Sequence, residues 1–195
     1  MKKQIKQLLV KFPRVYNLLK PNHLGTRGLD NEELNYILNL IGKDKLCLEI
    51  GTFTGFTTKE LAKDNHVVGI DPFIPNDEFG TLYGVYSKDV YNMFMKNTLG
   101  MNVVLFPTTS KKAFEFWDNF IDRKFDFILV DGEHTYKALI NDIKWIRHLK
   151  IGGIIAFDDT ELPEIEKFFR EKSYKLKELE LIKGFPHMKI YRRIV

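Results

Sequence analysis

The chain has 195 residues, of which 44% are hydrophobic, and this is sufficient for one well-packed domain. It contains no run of about eighteen apolar residues, which excludes a membrane-spanning helix. The single cysteine, Cys47, excludes an internal disulfide and favours a reducing compartment, so we expect a cytoplasmic protein.

The formal net charge of +4 is unevenly distributed. Residues 1–29 contain seven Lys or Arg and no Asp or Glu, whereas the rest of the chain has 23 basic and 26 acidic residues. We therefore predict a basic N-terminal arm, 1–29, and a single domain, 30–195. The arm could be a solvated amphipathic helix, or it could contact an anionic membrane surface, nucleic acid or a second subunit in a homo-oligomer. The domain has no basic stripe with interleaved aromatics, so nucleic acid is not the expected partner.

Strands and helices alternate from residue 30 to residue 172. The apolar periodicity predicts strands at 45–50, 66–71, 102–106, 125–131 and 152–159. It predicts helices at 30–41, 55–63, 110–120, 136–149 and 162–172, and a further helix that ends near residue 99. The stretch 72–84 is rich in Pro, Gly and acids and is predicted to be a loop.

The C-terminal tail differs from this pattern. Residues 174–182 and 187–195 are two strand-like segments joined by a short turn that contains Gly184 and Pro186, which predicts an antiparallel hairpin. Together with the five alternating strands, the hairpin predicts an α/β fold. We expect a Rossmann-like, doubly wound, seven-stranded sheet that is mostly parallel, with the antiparallel hairpin at its C-terminal edge.

A glycine-containing loop follows the first predicted strand. Gly51 and Gly55 allow a sharp turn and a close approach to a ligand, and the next helix presents free N–H groups. The second strand ends at Asp71, which could accept hydrogen bonds from ribose hydroxyls. The spacing is not that of a dinucleotide-binding loop. Glu49 would repel a pyrophosphate, but it suits the ammonium group of a methionine moiety.

These residues carry a resemblance to a known family. The segment LEIGTFTGFTT, 48–58, resembles the first motif of class I S-adenosylmethionine-dependent methyltransferases, especially the metal-dependent O-methyltransferases of the catechol type. The segment ILVDGEHTYKALINDIKWIRHLKIGGIIAFDD, 128–159, resembles the branch of macrocin sugar O-methyltransferases and cephalosporin-hydroxylase-like proteins. The resemblance covers roughly residues 45–160.

The resemblance implies a set of cofactor-binding residues. Those at the methionine end would be Glu49, Gly51, Thr52 and Gly55, with Thr57 or Thr58 at the helix start. Those toward the ribose and adenine would be Asp71, Pro72, Phe73 and Ser110, and Asp131 would also lie in the cofactor site. For Ser110, a plain helix cap is an equal alternative.

Two strands end in carboxylates, Asp131 on the fourth and the pair Asp158 and Asp159 on the fifth. Neighbouring strand ends are close, so these acids would repel one another and raise one another's pKa values. A divalent cation, with Mg²⁺ favoured by hard oxygen ligands, would relieve this repulsion. The resemblance assigns the same three residues as metal ligands. The alternative is that they cap the next helices.

His134, three residues after Asp131, is the predicted general base. The sugar branch has a histidine at this position and the catechol type has a lysine. The alternative is a histidine at a helix start that is hydrogen-bonded to the backbone. The predicted activity is O-methyl transfer to a small molecule or sugar with neighbouring hydroxyls. Two further hypotheses are a nicotinamide-dependent oxidoreductase on a similar sheet and a cofactor-binding module without turnover.

Overall fold

The computed structural model describes residues 29–73, 88–121 and 123–195. Within them lies one seven-stranded sheet in the order β3-β2-β1-β4-β5-β7-β6. Its strands are β1 Leu46–Ile50, β2 His66–Ile70, β3 Val103–Phe106, β4 Phe125–Val130, β5 Leu149–Phe157, β6 Leu179–Gly184 and β7 Lys189–Arg193. The α-helices are α1 Asn31–Ile41, α2 Phe56–Leu61, α3 Lys88–Asn97, α4 Ser110–Phe120, α5 Tyr136–Asp142 and α6 Pro163–Lys172.

The strand directions confirm the predicted fold class. Strands β1 to β5 pair in parallel, and β7 pairs antiparallel with both β5 and β6. The central strands β1, β2 and β4 are almost entirely buried because helices cover both faces of a parallel sheet. The chain reverses its direction of winding between β1 and β4. In such sheets ligands bind at that point, beyond the carboxyl ends of the strands.

Alternate side chains of the strands enter two separate apolar cores. One core contains Trp117, Trp145 and Phe168 from the helical layer beside α4, α5 and α6. The other contains Ile37 of α1 and Leu61 of α2. The two cores fix the sheet between the helix layers and therefore fix the positions of the strand ends.

The segment before β5 differs from the prediction. The predicted helix 136–149 is an α-helix only to Asp142 and continues as a 3₁₀-helix, Ile143–His148. Strand β5 begins at Leu149 rather than at residue 152, and its pairing with β4 contains a bulge. Gly152, at φ +79°, lies inside this irregular strand. A glycine inside a strand often marks such an irregularity.

Two predicted segments lie largely outside the described residues: all but the last residue of the basic arm 1–29, and most of the predicted loop 72–84. Among the helices in the described ranges, none combines the length and the hydropathy that a bilayer-spanning helix requires.

Candidate active site

Hydrogen bonds continue the sheet by one residue beyond its central strands. The backbone N–H groups of Gly51, Asp131 and Asp158 each donate to the carbonyl of the last residue of the neighbouring strand, at 2.8, 2.9 and 3.0 Å. The predicted cofactor loop and the predicted acids therefore stand side by side along one edge of the sheet.

Gly51 is required by the packing of this edge. It has φ +92°, and a Cβ atom there would lie 1.9 Å from the carbonyl oxygen of Asp131. Gly55, at φ +76°, precedes α2 in the left-handed region, and a Cβ there would lie 2.8 Å from the Phe94 ring. Gly51 thus allows two backbone segments to pass closely, and Gly55 allows the loop to pack against the Phe94 side chain.

Buried polar atoms that lack partners lie at the end of β1 and in the loop that follows it. Glu49 is 1% exposed, and burial raises the pKa of its carboxyl to about 8. Within the described residues, Glu49 Oε2 and the hydroxyls of Thr52 and Thr54 have no hydrogen-bond partner. Leaving such atoms unpaired costs free energy, so the arrangement is typical of a ligand site. An ammonium group would satisfy Glu49, and hydroxyl donors suit a carboxylate. The amino-acid end of S-adenosylmethionine therefore fits these residues.

Replacement of Glu49 by Gln should change how stability depends on pH. The carboxyl has an ordinary pKa of 4.5 and is held at about 8 by burial, so between these values the folded protein binds a proton that the unfolded chain lacks. Stability should therefore fall as pH rises through this window, by up to about 1.4 kcal/mol per pH unit from this group. In Glu49→Gln the fall should be shallower, and thermal denaturation at a series of pH values measures it.

Glu164→Gln provides the matched control, because Glu164 is exposed on α6 and its removal should leave the wild-type slope unchanged. Identical slopes in the wild type and in Glu49→Gln would show that Glu49 is ionised in the folded protein.

Asp71 is fully buried, and both of its carboxylate oxygens already accept backbone hydrogen bonds. Oδ2 accepts from Phe53 N and Oδ1 from Phe73 N, each at 2.8 Å. Both donor residues have positive φ, +45° and +49°, so Asp71 holds two strained turns in place. Burial raises the pKa of Asp71 to about 6. A carboxylate has about four acceptor positions, so two remain for ribose hydroxyls.

Asp71→Asn should weaken binding of S-adenosylhomocysteine by about 1–3 kcal/mol, the scale of charged hydrogen bonds. Calorimetry with this ligand and with its 2′,3′-dideoxy analogue separates the two roles of Asp71. If Asp71 binds the ribose, the wild type should bind the analogue more weakly than S-adenosylhomocysteine. Asp71→Asn should bind the two ligands with nearly the same affinity. An equal loss for the analogue in both proteins would restrict Asp71 to holding the turns.

The residues predicted near the adenine, Pro72, Phe73 and Ser110, differ in their contacts. Pro72 is half-buried beside Asp71, and Phe73 packs its ring 5.3 Å from that of Tyr91. Ser110 is the first residue of α4. Its Oγ accepts a hydrogen bond from Trp145 Nε1 at 3.0 Å.

The alternative of Ser110 as the helix cap is wrong, because the cap is Thr109, whose hydroxyl accepts from Lys112 N at 3.4 Å. The Ser110 hydroxyl instead forms hydrogen bonds with Trp145 and Asp142. Burial raises the pKa of Asp142 to about 7, and a hydrogen bond to Ser110 opposes this rise. The adenine contact of Ser110 stays a prediction.

At the ends of β4 and β5, three candidate ligand residues converge. One oxygen each of Asp131 and Asp159 and one ring nitrogen of His134 all lie within 4.8 Å of one another. His134 Nδ1 is 3.1 Å from Asp159 Oδ2. The sequence predicted the two acids as ligands and the histidine as their neighbour.

Asp158 does not belong to this group, but it lies beside it. Asp158, Glu133 and His134 line the same small cavity. Burial and the neighbouring Asp159 raise the pKa of Asp158 to about 7. Burial, with Asp158 next in importance, raises the pKa of Asp131 well above its ordinary range. The carboxyls thus repel one another as predicted, and a divalent cation fits this donor set.

Two polar residues of the site were misplaced or missed in the sequence. Glu133, for which no sequence pattern indicated a place in the site, is half-buried, and burial followed by the charge of Asp142 raises its pKa to about 7. Thr54 is completely buried in the cofactor loop. Its place between Gly51 and Gly55 was the signal that could have identified it.

A family model described as a methyltransferase domain matches residues 48–160, more than half of the chain. The chain belongs to this methyltransferase family. The match contains the predicted cofactor loop and the acids at the ends of β4 and β5, and it confirms the predicted family. The matched residues, 48–160, are also the ones that contain the candidate site.

The chain is also similar to a protein from a virus and to solved structures that share its fold. An uncharacterised protein of Acanthamoeba polyphaga mimivirus is 29% identical over 151 residues, which are 73% of this chain and 65% of that protein. An O-methyltransferase from Bacillus cereus, solved with SAH, matches with a TM-score of 0.65 and 15% identity, covering 88% of this chain and 86% of that one. An rRNA methylase from Streptococcus thermophilus matches with a TM-score of 0.61 and 11% identity, covering 87% and 99%. These structures share the fold of the methyltransferase.

Proposed function

We propose that the methyltransferase methylates a hydroxyl of a small molecule or sugar that carries neighbouring hydroxyls, with the help of a divalent cation. The observation that carries this proposal is the convergence of Asp131, Asp159 and His134 within 4.8 Å, next to a loop of unpaired buried polar atoms. A cation site with a histidine beside a cofactor pocket supports the removal of a hydroxyl proton rather than cofactor binding alone.

The chain's own residues would hold the cofactor at its two ends. S-adenosylmethionine, when bound, supplies an electrophilic methyl group and leaves as a neutral thioether. Glu49 would bind its ammonium group, and the buried hydroxyl of Thr52 would bind its carboxylate. Gly51 and Gly55 keep the loop open to it. Asp71 would hold the ribose, while Pro72, Ser110 and Asp131 would border the rest of the adenosine.

Asp131 and Asp159, which converge with His134, would hold the cation, with Mg²⁺ as the expected metal. Asp158, which lies beside this group, would be the third ligand. A divalent cation supplies positive charge that lowers the pKa of a neighbouring hydroxyl. His134 would accept the proton that leaves the acceptor oxygen. The residues would contribute chiefly by holding these groups in place and by a fixed arrangement of charges.

The two other hypotheses are less favoured. Family membership counts against a nicotinamide cofactor, and so does the spacing of Gly51 and Gly55, which is not that of a dinucleotide-binding loop. A binding module without turnover would not need a histidine 3.1 Å from a strand-end carboxylate beside the cofactor loop.

Transfer of a labelled methyl group from S-adenosylmethionine tests the proposal. Catechols and sugars with vicinal hydroxyls should accept the label in the presence of Mg²⁺, whereas their singly hydroxylated counterparts should accept at least about tenfold less. Equal transfer to both sets would overturn chelation by two oxygens. Label recovered only on an amine or on RNA would overturn O-methylation.

A further inference from the structure

The contact between His134 and Asp159 joins one atom of each side chain. His134 Nδ1 and Asp159 Oδ2 are 3.1 Å apart, which is hydrogen-bonding distance for a ring N–H donor and a carboxylate acceptor. The contact leaves Nε2 of the ring and Oδ1 of the carboxylate for other partners. Both side chains are partly exposed.

The backbone holds Asp159 in an unusual conformation. Asp159 has φ +52°, in the left-handed region that non-glycine residues rarely adopt. Its carbonyl accepts from Leu162 N at 3.0 Å, and Thr160 N donates to the carbonyl of His187 at 2.8 Å. Both bonds are made by the peptide group between Asp159 and Thr160, and they attach it to the start of α6 and to the β6–β7 hairpin. This fixes the direction in which its carboxylate leaves the backbone.

We propose that Asp159 is a positioning residue for His134. Its Oδ2 accepts the proton on Nδ1 and so fixes the tautomer in which Nε2 is unprotonated. Nε2 is then the only ring nitrogen able to take a proton from an acceptor hydroxyl, and the carboxylate stabilises the imidazolium that forms. Oδ1 of Asp159 remains for a cation, so the Asp159 side chain can contact both His134 and the cation. The part of this inference that concerns the acceptor rests on the proposed function, whereas the tautomer does not.

Nitrogen-15 NMR of the metal-free protein labelled at its histidines tests the tautomer directly. At about pH 8.5 ordinary imidazoles are neutral, and a free imidazole carries its proton mainly on Nε2. The His134 signal, assigned by its loss in His134→Gln, should instead show the proton on Nδ1. In Asp159→Asn the proton should move to Nε2, because the amide N–H of Asn can donate to Nδ1. Asparagine tolerates the left-handed conformation, so the turn should persist in this variant.

Asp158→Asn is the matched control, since it removes the adjacent carboxylate but leaves the partner of His134 in place. It should retain the Nδ1–H tautomer. A wild-type signal with the proton on Nε2, or an unchanged tautomer in Asp159→Asn, would overturn the proposal.

Turnover then separates the inference from the proposed function. Asp159→Asn should lower turnover by roughly 10²-fold or more, and Asp159→Glu should restore part of it together with the Nδ1–H tautomer. Wild-type turnover in Asp159→Asn would overturn the positioning role. If the wild type methylated no hydroxyl but kept the Nδ1–H tautomer, the proposed function would fail and the pair of His134 with Asp159 would stand.

Discussion

His134→Ala should lower turnover by roughly 10²–10⁴-fold, the usual contribution of a general base, and should leave cofactor affinity near that of the wild type. The physical reason is position. His134 belongs with Asp131 and Asp159 to the group that could hold a cation, the cation cluster. The unpaired atoms expected to bind the cofactor belong to Glu49 and to the loop after it. Methyl-transfer kinetics and calorimetry with S-adenosylhomocysteine measure the two effects separately.

His187→Ala is a close control for this prediction. His187 is a second partly exposed histidine whose Nδ1 contacts a carboxylate, Glu161 Oε1, at 2.8 Å, and it lies outside the cation cluster. Its removal should leave turnover within about twofold of the wild type. Wild-type turnover in His134→Ala would mean that another group accepts the proton, and the half-buried Glu133 would be the next residue to test.

Chelation by EDTA should abolish methyl transfer, and Mg²⁺ or Mn²⁺ should restore it. The Asp158→Asn variant should no longer be activated by metal.

In the metal-free protein at pH 8, however, the Asp158→Asn substitution should be stabilising, because burial and Asp159 raise the pKa of Asp158 to about 7 and the ionised carboxylate is unfavourable there. A gain of about 1 kcal/mol would raise Tm by about 2–4 °C in a chain of this size. Scanning calorimetry with and without Mg²⁺ measures it.

Glu161→Gln is the control for Asp158, because Glu161 is a nearby exposed acid that pairs with His187 and lies outside the cluster. It should retain the response to metal. Full activity after exhaustive chelation would contradict the metal proposal, and Asp158 and Asp159 would then be turn residues between β5 and α6.

Much of the fold follows from local patterns in the sequence. Short apolar runs such as Phe125–Val130 form buried strands, and the segments between them have helical periodicity. Parallel strands place all of their carboxyl ends on one edge of the sheet, so an acid after β4 and two acids after β5 had to approach each other. The sequence by itself therefore determined the class of fold, the glycine-containing loop after β1 and the acidic edge.

The tertiary structure decided the details that depend on register between distant segments. Whether Gly51 tolerates a side chain depends on how closely the backbone of Asp131 passes, and the partner of Ser110 depends on where Trp145 packs. Likewise, His134 meets Asp159 and not Asp158, because neighbouring residues in a turn point in different directions and a left-handed φ of +52° selects one of them. Such a backbone angle is held by hydrogen bonds from α6 and the hairpin, which no local pattern in the sequence encodes.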